Sequence, residues 1–212
     1  MKSLDSKAFR RMFVVLAGVA AASLWPPQAG AAERTLELDG AHSEVAFDLP
    51  ATGHDVHGLI SLKRGEIRFD DEAGTASGEI VLDAGTALSG NESRDETIRD
   101  DVFEAAKFPE IRFVAERVEG RVAAEGTSEI RLVGIVRLHG TDHPLTMKAK
   151  VVAHGSHVSA ETEFPVPFLE WGLKDPSILF LRVEPVVTVR IHAEGVLAGS
   201  TVPLAAAAGG GR

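Results

Sequence analysis

Cysteine is absent from this sequence of 212 residues. Without thiols the protein cannot form disulfide bonds, use a cysteine nucleophile, carry out thiol redox chemistry or bind zinc through cysteine. The folded chain must therefore obtain its stability from side-chain packing and from the hydrogen bonds of its secondary structure.

Positive charge is also scarce. The sequence has 22 Lys and Arg residues against 31 Asp and Glu residues, which gives a net charge of −9 at pH 7. Residues 1–32 contain four basic residues and one acidic residue, so this segment carries +3 and the remaining chain carries −12. Such acidity disfavours nucleic acid and anionic lipid headgroups as partners, because both repel a negatively charged surface.

Sequence motifs of several enzyme classes are missing as well. The chain has no Gly-x-Ser-x-Gly nucleophile elbow, no glycine-rich loop that would cradle a phosphate, and no dinucleotide-binding fingerprint. We therefore predict a protein that is not an enzyme, with no catalytic residues and no required cofactor.

The apolar run near the N-terminus is too short to cross a membrane as a helix. It covers residues 12–24, whereas a membrane span needs roughly 20 residues. Basic residues precede the run and Pro26-Pro27 closes it, an arrangement typical of a secretory signal peptide. Residues 1–32 are therefore predicted to be a cleavable signal, and no membrane span is expected after processing.

The cleavage site is predicted to follow Ala31 or Ala32, because Ala29-Gly30-Ala31 has the small-x-small pattern of signal peptidase sites. Arg10-Arg11 is compatible with export by either the Sec or the twin-arginine route. The mature protein is thus predicted to be periplasmic or secreted. Residues 33–198 are predicted to form one domain, as a monomer or homodimer, and the Gly/Ala-rich residues 199–212 a disordered tail.

Most of the predicted domain reads as short β-strands, because apolar and polar residues alternate with a period of two. Val187, Val189 and Ile191, for example, alternate with Thr188 and Arg190. The predicted strands cover residues 34–39, 44–49, 56–63, 66–70, 78–83, 111–118, 129–139, 144–154, 157–164 and 186–196. One polar face per strand indicates an antiparallel sheet, and the pattern alone leaves open whether it stacks as a sandwich or closes into a barrel.

One helix is predicted between the strands. Ser93 and Glu96 have the spacing of a capping box, and Ile98 and Val102 then recur at helical spacing. We predict a helix of about three turns near residues 93–106. Pro109 prevents its continuation, and a strand follows.

Three segments, in this order, resemble the YceI-like family of secreted lipid-binding proteins. They are residues 38–47 with Asp39-Gly40-Ala41-His42-Ser43, residues 89–113 with Ser89-Gly90-Asn91-Glu92-Ser93-Arg94-Asp95, and residues 134–145 with Gly140-Thr141-Asp142-His143-Pro144. The resemblance implies an all-β fold, an antiparallel eight-stranded lipocalin-like barrel with the helix at one end. It also implies that the interior holds a polyisoprenoid or another long-chain amphiphile, such as an isoprenoid quinone.

Apolar residues that face inward would carry such binding. Burial of one five-carbon isoprene unit yields roughly 3 to 4 kcal/mol, so a few units outweigh the cost of association. Without the family, the same side chains would be read as core filling, since packed interiors are the norm. Strand parity selects as candidates Phe47, Leu49, Phe69, Leu82, Phe113, Val136, Val189 and Ile191.

Polar residues provide a second set of candidates. Contacts with a ligand head at the barrel mouth are proposed for His42, His54, His57 and Arg94, although a turn or salt-bridge role is favoured for His42 and Arg94. Histidines close in sequence, such as His54 and His57, also raise the alternative of a histidine-dependent metal-binding protein or hydrolytic enzyme. No further ligand completes a recognised metal motif, so surface or structural roles are favoured.

Overall fold

We describe a computed structural model of the protein, which defines residues 33–177 and 182–198. The predicted signal peptide at 1–32 and the predicted tail at 199–212 lie outside the described residues. Within the described ranges, no helix has the length and apolar character that crossing a membrane requires.

The described chain contains eight strands and a short helix between the third and fourth strands. The strands are β1 (Arg34–Leu49), β2 (Val56–Asp70), β3 (Thr75–Leu88), β4 (Glu110–Glu119), β5 (Glu125–Leu138), β6 (Thr141–His154), β7 (His157–Val166) and β8 (Val187–Ala198). The helix α1 (Glu92–Glu96) continues directly into a π-helical segment, Thr97–Val102.

The strands pair in sequence order, all antiparallel, and β8 pairs with β1 to close the barrel. The predicted fold class is therefore confirmed. Closure gives each strand a partner on both sides over at least part of its length, and the alternation of each strand places one set of side chains inside and the other outside.

Ten predicted strands correspond to eight in the structure, because β1 and β2 each run through a predicted interruption. The interruptions contain Gly40 and Gly65. A Cβ on Gly40 would lie 2.8 Å from the carbonyl oxygen of Leu62, and one on Gly65 would lie 2.7 Å from Cδ1 of Leu38. These glycines thus permit two neighbouring strands to approach closely at irregular pairing, where the sequence pattern had indicated turns.

The helix has 11 residues, which agrees with the predicted length of about three turns. The predicted capping box was wrong. Asn91 is the N-cap residue, and its Oδ1 accepts a hydrogen bond from the backbone N of Arg94 at 3.0 Å, while Ser93 lies within the first turn. The helix ends at Val102 instead of near residue 106, because Glu104 has a left-handed φ of 46° that a helix cannot contain.

Asp95 anchors this helix to the end of β3. It is 6 % exposed and is the one buried charged residue in the described part of the chain. Its Oδ1 accepts hydrogen bonds from the backbone N of Ser89, at 2.6 Å, and from the Ser89 hydroxyl. Arg94 completes the group, since its Nε donates to the Ser89 hydroxyl oxygen and its Nη2 to the Ser89 carbonyl, both at 2.7 Å. The hydrogen bonds from Ser89, with the positive charges of Arg99 and Arg94, lower the pKa of Asp95 despite its burial.

We expect Asp95→Asn to lower the free energy of unfolding at pH 7 by about 1 to 3 kcal/mol, because a hydrogen-bonded buried carboxylate is replaced by a weaker acceptor. The lowered pKa means that the carboxylate stabilises the fold above its unfolded-state pKa, near 3.8, and that this contribution disappears as the pH falls through the folded-state value. The difference from the parent should therefore narrow below about pH 4.

Thermal unfolding followed between pH 3 and pH 7 measures this difference. Asp100→Asn is the matched control, since Asp100 lies on the same helical segment and is exposed. A constant difference between Asp95→Asn and the parent across this pH range would show that the carboxylate charge does not matter.

Candidate ligand-binding site

The barrel interior contains two cavities, and apolar residues dominate the walls of both. The larger has a volume of about 170 Å³ and the smaller about 100 Å³. Among the described residues, all side chains that line the larger cavity are apolar, and Thr162 is the single polar residue beside the smaller one. Such walls offer no group for acid–base or metal chemistry, and they favour an apolar occupant.

The structure places the eight predicted interior residues beside these cavities. Seven of them line the larger cavity: Phe47, Leu49, Leu82, Phe113, Val136, Val189 and Ile191. Phe69 lines the smaller cavity instead, and Ile191 lines both. Their role in ligand binding stays a prediction. The alternation along each strand identified these residues, because every second residue of a barrel strand faces inward.

The predicted ligand-binding residues did not include those that close the larger cavity at one end. Ile98, Val102 and Phe103 contribute from the helix and the residue after it. A second group lies in residues 167–176, which we call the cover segment, and consists of Phe168, Trp171, Leu173 and Pro176. Helical periodicity indicated Ile98 and Val102 as the apolar face of the helix, but the cover segment has no periodic pattern that would reveal its inward side chains.

One ion pair joins the two parts of this covered end. Lys174 Nζ of the cover segment lies 2.8 Å from Asp101 Oδ1 of the π-helical segment, and both side chains are more than half exposed. An exposed pair of this kind contributes little to stability. The helix and the cover segment are therefore held together here by a contact that can open at small cost.

The barrel wall has a seam between β6 and β7. Their pairing extends from His154↔His157 only to Ala149↔Thr162, so the first half of β6 has no partner on β7. Leu145 and Met147 on one side of the seam, and Phe164 and Val166 on the other, line the larger cavity. The Trp171 ring of the cover segment stacks on His143 at the start of β6, with ring centroids 4.4 Å apart. Side-chain stacking thus closes the wall where sheet hydrogen bonds are missing.

Polar contacts surround Val122 at the opposite end of the barrel. Arg34 Nη1 donates to the carbonyl oxygen of Val122 at 3.0 Å, and the backbone N of Val122 donates to Asp71 Oδ2 at 2.7 Å. Arg34 and Asp71 also form an ion pair at 2.7 Å. The buried Val122 side chain lines the smaller cavity, so these contacts fix the floor of that cavity.

The four polar candidates line neither cavity. His42 Nδ1 lies 2.7 Å from Asp39 Oδ2 at the irregularity of β1, and its side chain is largely exposed. His57 contacts Asp48, and His54 is exposed in the connection between β1 and β2. Arg94 is occupied by Ser89, as described above. The described residues contain no group of three or more His, Asp or Glu side chains placed to hold a metal ion.

The outer face carries the charges that the interior lacks. Glu110 illustrates this, because its Oε1 lies 2.9 Å from Lys63 Nζ and 3.3 Å from Arg64 Nη1. Hydrogen bonds from Lys63, then from Arg112 and Arg64, lower the pKa of Glu110 to about 2 against the effect of desolvation. The barrel therefore presents an ionised surface to solvent and an apolar interior to a ligand.

Comparisons with known proteins agree with this architecture. The model of the YceI-like domain matches residues 36–195. A UPF0312 protein of Shewanella denitrificans is 32 % identical over 146 residues, which cover 66 % of this chain and 74 % of that protein. The chain belongs to the YceI-like family. A UPF0312 protein of Vibrio parahaemolyticus is 27 % identical over 183 residues, 84 % of this chain and 95 % of the relative.

Two solved structures share the fold of this YceI-like protein. Burkholderia cenocepacia BcnA superposes with a TM-score of 0.60 at 16 % identity, covering 74 % of this chain and 98 % of BcnA. A polyisoprenoid binding domain from Saccharophagus degradans, implicated in plant cell wall breakdown, superposes with a TM-score of 0.58 at 14 % identity. That match covers 76 % of this chain and 97 % of the domain. At these identities the likeness establishes the barrel and leaves the ligand to be argued from the cavity.

Proposed function

We propose that this YceI-like protein is an exported carrier that holds a polyisoprenoid, or a related long-chain amphiphile such as an isoprenoid quinone, inside its barrel. The observation that carries the proposal is the larger cavity, which is lined by apolar side chains throughout the described part of the chain. The solved relative from Saccharophagus degradans, itself a polyisoprenoid binding domain, supports the choice of ligand class.

Export forms part of the proposal. The basic and apolar residues at 1–32 have the pattern of a secretory signal, and the acidic remainder of the chain suits an aqueous compartment. A prenyl chain is poorly soluble there, because the exposure of its apolar surface to water is unfavourable. A carrier that encloses the chain would remove this cost while the ligand crosses the periplasm or the medium.

The cavity must widen to hold a long chain. At about 170 Å³ it is close to the roughly 150 Å³ of an engineered cavity that accommodates benzene. Benzene and one isoprene unit have similar numbers of carbon atoms, so the larger cavity has room for little more than one unit. Several units require wall side chains to move, and pockets for drug-sized ligands have volumes of about 300–1,000 Å³.

The wall can widen most readily at the seam and at the cover segment. Separation of β6 from β7 near Met147 and Phe164 breaks no sheet hydrogen bond, because the two strands are unpaired there. The cover segment is joined to β6 by the stacking of Trp171 on His143, and to the helix by the ion pair of Lys174 and Asp101. We infer that a ligand enters at this end of the barrel.

Purification from an exporting host tests the proposal. Native mass spectrometry and organic extraction of the mature protein should reveal a co-purifying prenyl lipid, and protein stripped of lipid should take up added farnesol or geranylgeraniol. The absence of both a co-purifying apolar molecule and any uptake would overturn the proposal. N-terminal sequencing of the exported protein would show cleavage after Ala31 or Ala32 if export is as proposed.

The histidine-dependent alternative has no observation in its favour among the described residues. His54 is remote from both cavities, and His57 is engaged by Asp48 on the outer surface. The binding function is therefore the one that we develop further.

A further inference from the structure

Three side chains separate the two cavities of the barrel. Ile80, Met147 and Ile191 line the larger and the smaller cavity alike. They come from β3, β6 and β8, which lie on different sides of the barrel. Together they form a layer across the interior, which we call the partition layer.

The smaller cavity lies behind this layer. Val122 lines its far end, where Arg34 and Asp71 hold the backbone of Val122 through the contacts described above. The Arg34 guanidinium also lies 4.8 Å from the centre of the Phe69 ring, another wall of this cavity. An apolar chain that enters at the helix end therefore reaches the smaller cavity by passing the partition layer.

Met147 is the side chain of the layer that can most easily change its conformation. Ile80 and Ile191 are branched at Cβ, which restricts their side chains to few rotamers on a strand. Methionine is unbranched and has three rotatable bonds, so it can change shape without moving the backbone. Met147 also lies on β6 beside the seam, where β7 does not constrain the strand.

We propose that the partition layer selects ligands by the length of their prenyl chain. Short chains occupy the larger cavity alone, whereas longer chains displace the Met147 side chain and place their ends in the smaller cavity. The inference rests on the proposed function and adds to it the determinant of ligand length.

Filling the smaller cavity tests the inference directly. Ala160 lines the smaller cavity and not the larger one, so Ala160→Phe removes space only behind the partition layer. Binding of geraniol, farnesol and geranylgeraniol would be measured by titration calorimetry. In the parent we expect affinity to rise along this series. In Ala160→Phe we expect geraniol affinity within about twofold of the parent and geranylgeraniol affinity lowered at least about tenfold, because the chain end loses its site.

Variants of Met147 provide a second readout. Met147→Trp should block passage and reproduce the effect of Ala160→Phe, whereas Met147→Ala should raise the affinity for geranylgeraniol relative to geraniol. Lys148→Ala is the matched control, because Lys148 follows Met147 on β6 with its side chain exposed, and the series is expected to resemble that of the parent. Melting temperatures establish that each variant is folded. If Ala160→Phe does not fold, Ala160→Leu replaces it. We then expect a smaller loss of geranylgeraniol affinity and the same retention of geraniol affinity.

The outcomes separate this inference from the proposed function. Parent protein that binds none of the three alcohols would overturn the proposed function and the inference with it. Parent protein that binds all three with equal affinity, or filled variants that weaken geraniol and geranylgeraniol equally, would leave the carrier function standing and overturn length selection.

Discussion

Phe113→Glu is expected to abolish uptake of prenyl lipids and to leave the protein largely unfolded at neutral pH. Phe113 is 7 % exposed on β4 and lines the larger cavity. None of the described residues that line that cavity carries a positive charge to pair with a carboxylate, and an unpaired charge in an apolar interior costs several kcal/mol. A loss above about 4 kcal/mol consumes most of the stability of an ordinary domain.

Circular dichroism and farnesol titration measure the two effects of Phe113→Glu separately. Phe113→Leu should stay folded and change affinity only modestly, since it keeps an apolar side chain in the same wall. Arg117→Glu is the control for the charge itself, because Arg117 lies on the same strand with its side chain exposed. Farnesol binding by Phe113→Glu equal to that of the parent would place the binding site outside the barrel interior.

The second large effect is expected at Gly134, which lies on β5 beside Phe113. A Cβ at this position would lie 2.7 Å from Cζ of Phe113 and still closer to the carbonyl oxygen of Val114. That carbonyl belongs to the neighbouring strand β4, whose pairing with β5 fixes its position. Gly134→Ala should therefore lower the free energy of unfolding by about 3 kcal/mol or more, at the upper end of the cost of overpacking.

Urea unfolding of Gly134→Ala and Gly85→Ala gives a matched comparison. Gly85 also lies on a strand, but a Cβ there would approach only the flexible Asp83 side chain, at 3.3 Å. We expect Gly85→Ala to change stability by less than about 1 kcal/mol. Equal unfolding midpoints for the two variants would show that β4 and β5 can separate locally, contrary to the close approach that we describe.

Glycine was hard to interpret in this sequence. Gly134 lies within a predicted strand, whereas Gly40 and Gly65 lie between predicted strands, yet all three permit close strand contact. The pattern around Gly40 and Gly65 indicated turns, whereas these residues lie within β1 and β2 and permit close strand contact. Tight turns and close strand approach both favour glycine, because it has no side chain. Only the position of the neighbouring strand distinguishes the two cases.

The start of the helix illustrates a similar ambiguity. Asn91 and Ser93 are both good N-cap residues, and Ser93 had the additional support of Glu96 three residues later. The structure uses Asn91, whose Oδ1 accepts from the backbone N of Arg94, and the helix that begins there places Asp95 against Ser89 at the end of β3. The local pattern alone did not distinguish the two residues.

Alternation left closure of the sheet open, and the resemblance to the YceI-like family indicated the barrel. The sequence by itself determined the antiparallel β-structure, the inward position of residues such as Phe113 and Val136, and the apolar chemistry of the inward face. These features follow from alternation along single strands, which local backbone geometry imposes. The tertiary structure decided that the interior is divided by Ile80, Met147 and Ile191, that residues 167–176 cover one end, and that β6 and β7 part near Met147. Those features arise where residues distant in sequence meet, and the empty space between side chains depends on their joint packing, which no local pattern encodes.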